Sequence, residues 1–385
     1  MLGSLVPREL GEIGGSCLTS GAIHDKKEAE GENQQIICLS QRHFMLGACC
    51  MTRKKVGLIG LLIIGLAALA GYFYLSRSDR NQPSTAQPSV VEPGLGLKDL
   101  HNQGYSGRGV HVALIDGLLR ADHEEFADHL VHLEKVGTVN EADLYHGTTV
   151  ASVLVGKRCG VVPEASLHFF AANFADGSNV IRALERVLLH NDALEPPRKI
   201  RIVSISTGIP GESESQADFH RLVSQAWDQG IIVFTSTMPT ITNPPFALRE
   251  AAYDKKQDLN NLDNIVIGEW MNEFLRENNI SREDLVAIRK ARDLENGYIN
   301  LYLPCAGRYV ASPDTESGYV YDLDGGLSWG TPLLAGLAAL TLQVNPDLTN
   351  DEVLGLLGES VLTNQQGLDV IDPQLLITLA RATIE

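Results

Sequence analysis

Short runs of β-branched and apolar residues alternate with longer helical stretches from residue 95 to the end of the chain. The runs are VHVALID from Val110, RIVSIS from Arg201, IIVFTST from Ile231 and NIVIGEW from Asn264. They are apolar at nearly every position, which is typical of parallel strands that are buried on both faces of a sheet. Strands and helices that alternate in this way form α/β domains. The pattern therefore predicts an α/β fold with a mainly parallel sheet.

Helical periodicity fills the segments between and after these runs. A further stretch, residues 271–296, is rich in charge and contains Ser281-x-x-Asp284, which is a capping pattern, so it is predicted to be a solvated helical excursion. The other predicted helices cover residues 179–193, 214–230, 331–345, 349–359 and 373–384.

Upstream of this domain, residues 56–75 read VGLIGLLIIGLAALAGYFYL and contain no charged side chain. At about 1.5 Å per residue, a helix of this length crosses a hydrocarbon core of about 30 Å. A buried core helix and a cleaved secretory signal are the alternatives. The run has no polar face, however, and no clear small-residue cleavage site follows it. Residues 56–75 are therefore predicted to be an uncleaved transmembrane helix in contact with the lipid bilayer.

The basic residues that flank this run predict its orientation. Arg53, Lys54 and Lys55 precede it, whereas Arg77 and Arg80 follow with an acidic residue between them. Lysine and arginine are enriched on the cytoplasmic side of membrane spans. We therefore expect a single pass through the cytoplasmic (inner) membrane, with the domain that follows on the periplasmic or extracellular side.

These observations divide the chain into four segments. Residues 1–50 show no sustained periodicity and are predicted to be an unstructured leader; whether they are translated, or precede a true start at Met51, stays open. Residues 51–75 form the basic flank and the transmembrane helix. Residues 76–94 are rich in proline and small polar residues, which predicts a flexible linker. Residues 95–385 are expected to form the folded domain.

The charge of the chain limits its partners. The formal net charge is −17, so the molecule should repel the phosphates of nucleic acids. Nucleic acid is therefore not an expected partner, and the sequence leaves the oligomeric state open.

No cofactor and no metal site are expected. One group of histidines and acids lacks the HExxH spacing of zinc enzymes, and we interpret it as a solvated acidic helix face. Cys159 and Cys305 are the cysteines of the folded domain, and a disulfide between them is one option in an oxidising compartment. The histidines and acids of the group are His123, Glu124, Glu125, Asp128, His129 and His132.

Three residues of the domain could supply chemistry. Asp116 ends the run VHVALID, at the carboxyl edge of the predicted sheet, where sites form in α/β proteins. His146 opens the small-residue segment HGTTVASVLVG. Ser328 lies in GLSWGTP, just ahead of an apolar helix whose N–H groups and dipole suit a developing oxyanion. Taken singly, each is more typical of an ordinary turn, helix start or N-cap.

Two classes of enzyme could use this serine. The pattern Gly326-x-Ser328-x-Gly330 fits the nucleophile elbow of α/β-hydrolases, in which the acid and the histidine follow the serine. The last histidine of the chain is His220, so an esterase of that type would lack its base. The order aspartate, histidine, serine is that of subtilisin-type proteases.

The segments around all three residues resemble the subtilase (subtilisin-like serine peptidase) family and occur in its order. GYSGRGVHVALIDGLLRADHEEF is similar to the aspartate segment, HGTTVASVLVG to the histidine segment and GLSWGTPLLAGLAAL to the serine segment. Three further stretches, GVVPEASL, VSISTG and NPDLTNDEVLGLL, also match. The resemblance covers residues 95–380. It implies a three-layer subtilisin-like domain in a divergent member, which the uncharged run 56–75 predicts to be membrane-anchored.

The resemblance also implies roles for these residues. Ser328 would be the nucleophile, His146 the base and Asp116 the group that orients the imidazole. The implied function is that of a membrane-anchored serine endopeptidase, a hydrolase with a polypeptide substrate. Three successive residues would offer backbone groups to the extended substrate: Ser206, Thr207 and Gly208.

The segment after the run GIIVFTST departs from the family. An Ala-Gly-Asn is expected there, whose amide donates to the oxyanion, but the chain continues with Met238 and Pro239. Asn243 is our hypothesis for this donor, with the hydroxyl of Thr237 as the alternative. Loss of one such donor costs about 10²–10³ in turnover. The second interpretation of the chain is therefore a catalytically impaired pseudoprotease that binds peptides or proteins in the same groove.

Overall fold

The computed structural model describes residues 91–173, 176–207, 213–236, 246–254, 257–323 and 325–384. The leader, the transmembrane helix and all but the last residues of the linker lie outside the described residues and stay predictions. The described chain begins just before Gly94, which packs against the Tyr253 ring; the Tyr253 hydroxyl donates to the Pro93 carbonyl at 3.3 Å.

Within the described residues, five parallel strands form the main sheet, in the order β2-β3-β1-β4-β5. The central strand β1 is apolar and almost wholly buried, as a strand covered on both faces must be. This confirms the predicted α/β fold with a mainly parallel sheet. The strands are β1 (His111–Asp116), β2 (Leu130–Val136), β3 (Ser166–Ala172), β4 (Ile200–Ile205) and β5 (Ile232–Thr235).

Helices cover both faces of this sheet. The predicted helices are present, and their observed ends differ from the predicted ones by a few residues. The bounds are α1 (Leu97–Asn102), α2 (Leu144–Val155), α3 (Gly177–Asp192), α4 (Ser213–Asp228), α5 (Met271–Asn278), α6 (Arg282–Glu295), α7 (Leu327–Val344), α8 (Asn350–Glu359) and α9 (Pro373–Ala382).

The side chains of β1 show how the layers pack. Val112 and Leu114 point to the core that contains α2 and α7. Ala113 and Ile115 point to a second core, which contains α3 and α4. Because successive side chains of a strand face opposite sides of its sheet, the sheet is the middle of three layers. The carboxyl ends of its parallel strands therefore meet at one edge, close to the starts of α2 and α7.

Shorter strands lie outside the main sheet. The second sheet has the order β7-β6-β8, with β6 and β8 parallel and β7 antiparallel. Two antiparallel pairs, β9 with β10 and β11 with β12, follow. The bounds are β6 (Phe246–Tyr253), β7 (Ile265–Val266), β8 (Ile299–Ala306), β9 (Arg308–Ser312), β10 (Gly318–Asp322), β11 (Val361–Thr363) and β12 (Asp369–Ile371).

The run NIVIGEW does not form the buried parallel strand that its composition predicted. Only Ile265 and Val266 pair, on the edge of the second sheet and antiparallel to β6. A 3₁₀ turn, Leu262–Asn264, ends directly before them. The parallel partner of β6 is instead β8, whose longer apolar run INLYLPCA pairs along nearly its whole length.

Within the described part of the chain, one helix is long and apolar enough to cross a membrane, and it is α7. This helix is 78% buried in the protein, so it is the central core helix of the domain. Gly336 allows its close packing, since a Cβ at this position would lie 2.6 Å from the Cβ of Val161. The predicted transmembrane segment, residues 56–75, is a different stretch and lies outside the described residues.

The charged stretch 271–296 is helical, as predicted, and forms α5 and α6. Ser281 caps α6, because its Oγ accepts a hydrogen bond from the Asp284 amide at 3.0 Å. The stretch is less solvated than predicted: Leu285 and Val286 are buried. It also docks on β6 through buried Asp293, which accepts hydrogen bonds from the Arg249 guanidinium at 2.6 and 2.7 Å.

Candidate active site

Asp116 and His146 form a hydrogen-bonded pair at the carboxyl edge of the main sheet. Asp116 ends β1 and is 3% exposed, and His146 lies in the first turn of α2. Nδ1 of His146 donates to Oδ1 of Asp116 at 2.6 Å. The same oxygen accepts the Gly117 amide at 2.7 Å, which orients the carboxylate. Because Nδ1 holds the proton, Nε2 is the nitrogen that can accept another.

Two glycines allow the loop after β1 to pack on the start of α2. A Cβ at Gly147 would lie 2.2 Å from the Leu118 carbonyl oxygen, and one at Gly117 would lie 2.5 Å from the Cβ of Asp143. Real Cβ atoms do not approach other atoms this closely. Glycine at positions 117 and 147 is therefore a shape requirement of this site.

Asp143 places a second carboxyl group beside the pair, which the sequence did not indicate. It directly precedes α2 and is half-buried. Burial raises the pKa of this carboxyl, the nearby negative charge of Asp116 adds to the rise, and His146 opposes it. The site therefore contains two acids that favour a positive charge on the imidazole.

Ser328 is the second residue of α7 and does not precede the helix as predicted. The helix begins four residues earlier than the sequence indicated, at Leu327, because Gly326 adopts an extended conformation and serves as the N-cap. Pro332 lies inside the helix and has no N–H, so the Ser328 carbonyl lacks its usual donor four residues on. The hydroxyl of Ser206 replaces that donor, at 2.8 Å.

A reciprocal hydrogen bond completes the contact between Ser328 and Ser206. Oγ of Ser328 donates to the Ser206 carbonyl at 3.0 Å. Ser206 follows Ile205, which pairs with Ile115 in the neighbouring strand, so it lies beside Asp116 at the sheet edge. The start of α7 also touches the imidazole: the Trp329 and His146 rings meet edge to face, with centroids 5.3 Å apart. The fold thus brings Ser328, Ser206 and the Asp116–His146 pair to one edge.

Comparison with known proteins gives a consistent result. Residues 107–237 match the sequence model of the subtilase family, Peptidase_S8. The comparisons support a subtilase domain. Asp116, His146 and Ser206 lie inside the matched subtilase segment, and Ser328 lies beyond it.

Two curated proteins are similar to the chain. It is 27% identical over 285 residues to serine protease AprX of Bacillus subtilis (strain 168), which covers 67% of this chain and 62% of AprX. It is 24% identical over 294 residues to the subtilisin-like protease PopC of Myxococcus xanthus (strain DK1622), with 68% of this chain and 57% of PopC covered. The chain therefore spans less than two thirds of either relative.

Among solved structures, the chain is similar to the prenylagaramide maturation protease PagA. The sequence identity is 18% and the TM-score is 0.48, with 74% of this chain and 98% of PagA covered.

Several residues that the sequence predicted for the active site are not described. Gly208, Thr237 and Asn243 lie outside the described residues, so the third substrate-binding position and the oxyanion donor stay predictions. Ser206 and Thr207 are described, directly after β4. Ser206 and Thr207 therefore lie at the carboxyl edge of the main sheet. Their role in binding substrate stays a prediction.

The interpretation of residues 123–132 as a solvated acidic helix face is wrong. His123 and Glu125 are completely buried, and the segment continues from turns into a 3₁₀ helix and β2. Nε2 of His123 donates to the Gly318 carbonyl at 2.9 Å, and Glu125 accepts the Tyr319 hydroxyl. These hydrogen bonds satisfy the polar groups that the sequence assigned to water. Among the described residues, no group of histidines, cysteines and acids has metal-binding geometry.

Cys159 and Cys305 are free thiols and are completely buried, so the optional disulfide is not formed. Burial is the main reason why the pKa of each thiol is raised well above its usual value. Because the thiolate is the reactive form, neither thiol is suited to act as a nucleophile.

Proposed function

We propose that the chain is a serine endopeptidase that hydrolyses polypeptides through an acyl-enzyme on Ser328. The observation that carries the proposal is the 2.6 Å hydrogen bond between buried Asp116 and Nδ1 of His146, at the edge where α7 brings Ser328. A serine hydroxyl is a weak nucleophile until a base accepts its proton, and an acid on the far side of the imidazole orients that base. The similarity to the serine proteases AprX and PopC supports a peptidase.

The proposed reaction runs through the following sequence of steps. Oγ of Ser328 attacks the carbonyl carbon of the scissile bond, and its proton moves to Nε2 of His146. The imidazolium, held by Asp116, then returns this proton to the leaving amine as the C–N bond breaks. A water molecule, deprotonated by His146, hydrolyses the ester and regenerates the serine. The Ser328 amide is a first-turn N–H of α7 without an intrahelical acceptor, so it suits the oxyanion, with Asn243 as the proposed second donor.

The polypeptide substrate is proposed to lie along the end of β4. An extended peptide can pair with the backbone of Ser206, Thr207 and Gly208, as in recognition by strand addition. Such pairing would place the scissile bond beside Ser328, because the two serines already contact each other at 2.8 and 3.0 Å.

We further propose that residues 56–75 anchor the peptidase in the cytoplasmic membrane, with the domain outside. The uncharged run and the basic residues ahead of it support this arrangement. Membrane fractionation and protease treatment of spheroplasts, whose cytoplasmic membrane is exposed, test it: the domain should sediment with membranes and be degraded from outside. A domain that is released by salt, or protected in intact spheroplasts, would contradict the anchor or its orientation.

A specific observation favours the second candidate, a pseudoprotease that binds peptides. The Ser328 hydroxyl donates to the Ser206 carbonyl, so its hydrogen must turn toward His146 before proton transfer can begin. If the serine keeps this hydrogen bond when a substrate is present, the groove binds peptides without cleaving them.

Labelling with a fluorophosphonate probe separates the two candidates. The full chain should react, whereas Ser328→Ala and His146→Ala should each lose labelling and casein hydrolysis together. Ser224→Ala is the matched control, because Ser224 is exposed on α4 and should leave both readouts unchanged. Labelling that persists in Ser328→Ala would disprove the assigned nucleophile. Absence of labelling in the parent, with retained peptide binding, would support the pseudoprotease.

A further inference from the structure

Glu250 contacts the start of the helix that carries Ser328. It lies on β6, and its Oε1 accepts a hydrogen bond from the Leu327 amide at 3.1 Å. Leu327 is the first residue of α7 and directly precedes Ser328. Glu250 belongs to the second sheet, whereas Asp116 ends one strand of the main sheet and Ser206 directly follows another. The contact thus joins the second sheet to the candidate active site.

The start of α7 needs an acceptor from elsewhere. The first N–H groups of a helix have no intrahelical partner, and an N-cap side chain commonly satisfies one of them. Here the N-cap is Gly326, which has no side chain and makes no side-chain cap hydrogen bond. We propose that Glu250 replaces this cap and acts as a positioning residue for Ser328. This proposal rests on the proposed peptidase function.

Two further side-chain contacts restrain the same turn. Ser206, after β4, holds the Ser328 carbonyl, and Ser236, after β5, contacts the Thr331 hydroxyl at 3.0 Å. Both act on residues at or beyond Ser328, whereas Glu250 acts on the residue before it. Loss of the Glu250 contact would therefore free the turn on the side from which the chain enters the helix.

The negative charge of Glu250 also acts on a thiol that packs against the first turn of α7. Cys305 packs under it, since a Cβ at Gly330 would lie 3.0 Å from the Cys305 Sγ. Burial is the main cause of the raised pKa of that thiol, and the negative charge of Glu250 adds to the rise. A carboxylate at a helix N-terminus interacts favourably with the helix dipole. It would, however, oppose a negative charge that develops on a substrate oxygen nearby.

The hydrogen bond of Glu250 and its negative charge therefore have different expected effects on catalysis, and a substitution can distinguish them. If Glu250 acts by holding the Leu327 amide, glutamine should replace it, because the amide oxygen of glutamine accepts the same hydrogen bond without a charge. If the charge itself is required, glutamine should be as harmful as alanine.

The first test is steady-state kinetics on a peptide substrate. Glu250→Ala should lower kcat about 10-fold or more with KM within about twofold, because a small displacement of a reacting group is costly in rate. Glu250→Gln should stay within about threefold of the parent in both constants. Glu277→Ala is the matched control, since Glu277 is exposed on α5. A parent-like kcat in Glu250→Ala, or an equal loss in Glu250→Gln, would overturn the proposal.

The second test does not depend on activity. Hydrogen exchange of the peptide that covers residues 325–331 should be faster in Glu250→Ala than in the parent, and unchanged in Glu250→Gln, while peptides from α3 exchange alike in all three proteins. If Glu250→Ala exchanges faster but the parent protein has no peptidase activity, the capping role of Glu250 is supported and the proposed peptidase function is refuted. Unchanged exchange in a folded Glu250→Ala protein would refute the capping role, whatever the activity.

Discussion

The two ends of β1 place histidine in opposite surroundings. At the carboxyl end, His146 donates to buried Asp116 at 2.6 Å. At the amino end, imidazoles contact one another: Nδ1 of His111 lies 2.9 Å from Nε2 of His168, whose Nδ1 lies 3.0 Å from Nε2 of His190. The ring of a fourth histidine stacks on that of His190 with centroids 4.0 Å apart. We call this group the histidine quartet: His111, His132, His168 and His190.

The difference shows how neighbours determine the use of one residue type. A carboxylate stabilises an imidazolium, which a base needs during catalysis. In the quartet, the pKa of His168 is lowered to about 3, mainly by burial and in addition by the positive charges that His111, His190 and His132 could carry. Burial is also the main reason for the lowered pKa of His111 and His190. One end of the strand is therefore suited to accept a proton, and the other end to exclude it.

The charged groups around the quartet also disfavour protonation of its histidines. Glu134, on β2, faces His132 at 3.4 Å but is also bound by Arg186 from α3 at 2.7 Å. Arg198 contributes a positive charge that lowers the pKa of His111. The carboxylate of Glu134 is thus already paired with the guanidinium of Arg186, so it gives little stabilisation to a protonated histidine of the quartet.

The largest expected effect is at the carboxyl end. Asp116→Asn should lower kcat/KM for a peptide substrate by about 10⁴-fold, because an amide no longer stabilises the imidazolium or fixes its tautomer. Steady-state kinetics on the purified full chain measures this loss. Asp128→Asn is the control, since Asp128 is an exposed partner of Lys157. A loss of less than about 10-fold in Asp116→Asn would argue against the assigned triad.

A smaller loss is expected when the packing around the pair is disturbed. Gly147→Ala places a Cβ where the Leu118 carbonyl lies 2.2 Å away, so the loop after Asp116 must shift. A displacement of about 1 Å can cost about 10²-fold in rate, which kcat should show while KM changes less.

Gly355 offers a matched control for this substitution. It lies on α8, and a Cβ there meets nothing within 4 Å. Gly355→Ala should leave kcat unchanged and raise the stability by roughly 0.5–1 kcal/mol through its helix propensity. Parent-like kinetics of both variants would show that the loop tolerates the Cβ, and that the close fit at Gly147 is not required.

The amino end should affect stability more than rate. The folded-state pKa of His168 is about 3, below the usual 6.5, so the unfolded chain binds its proton more readily. The contribution of neutral His168 to the free energy of unfolding is fully present above pH 6.5 and is lost as the pH falls toward 3. One such group lowers the free energy of unfolding by about 2 kcal/mol between pH 7 and pH 5.

Denaturant unfolding at several pH values measures this loss. His168→Gln should make the free energy of unfolding less dependent on pH in this range, even if it lowers the stability at pH 7. His220→Gln, at an exposed position on α4, should keep the parent's dependence. An unchanged slope in His168→Gln would show that the quartet does not exclude protons as inferred.

The sequence predicted the carboxyl end much better than the amino end, for physical reasons. Asp116, His146 and Ser328 each lie in a small-residue segment with its own local pattern, so their neighbourhood could be inferred one segment at a time. The quartet comes from three strands and α3, and its members meet only through the strand order β2-β3-β1. That order was not predicted, because β2 and β3 were not recognised. The sequence of β2 carries no such signal, since the side chains that alternate between half-buried and exposed along it do not alternate between polar and apolar types.

Glu250 was missed for a similar reason. Its carboxylate contacts Leu327 across two elements that are 77 residues apart in the chain. A single glutamate in an apolar run such as FALREAAY indicates only a polar position on a strand. Its partner follows from the packing of the second sheet against α7, which no local pattern contains.

The smallest effect expected concerns the second acid of the carboxyl end. Asp143 and His146 attract each other, so Asp143→Asn should make the protonated imidazole slightly less stable. The imidazole then loses its proton at a lower pH, and the acid limb of the kcat/KM profile should move down by less than one pH unit. Glu141→Gln, at an exposed position two residues away, should leave the limb in place. A shift to higher pH would mean that Asp143 acts mainly on Asp116. Removing the charge of Asp143 would then strengthen the attraction between Asp116 and His146, and the imidazole would hold its proton more tightly.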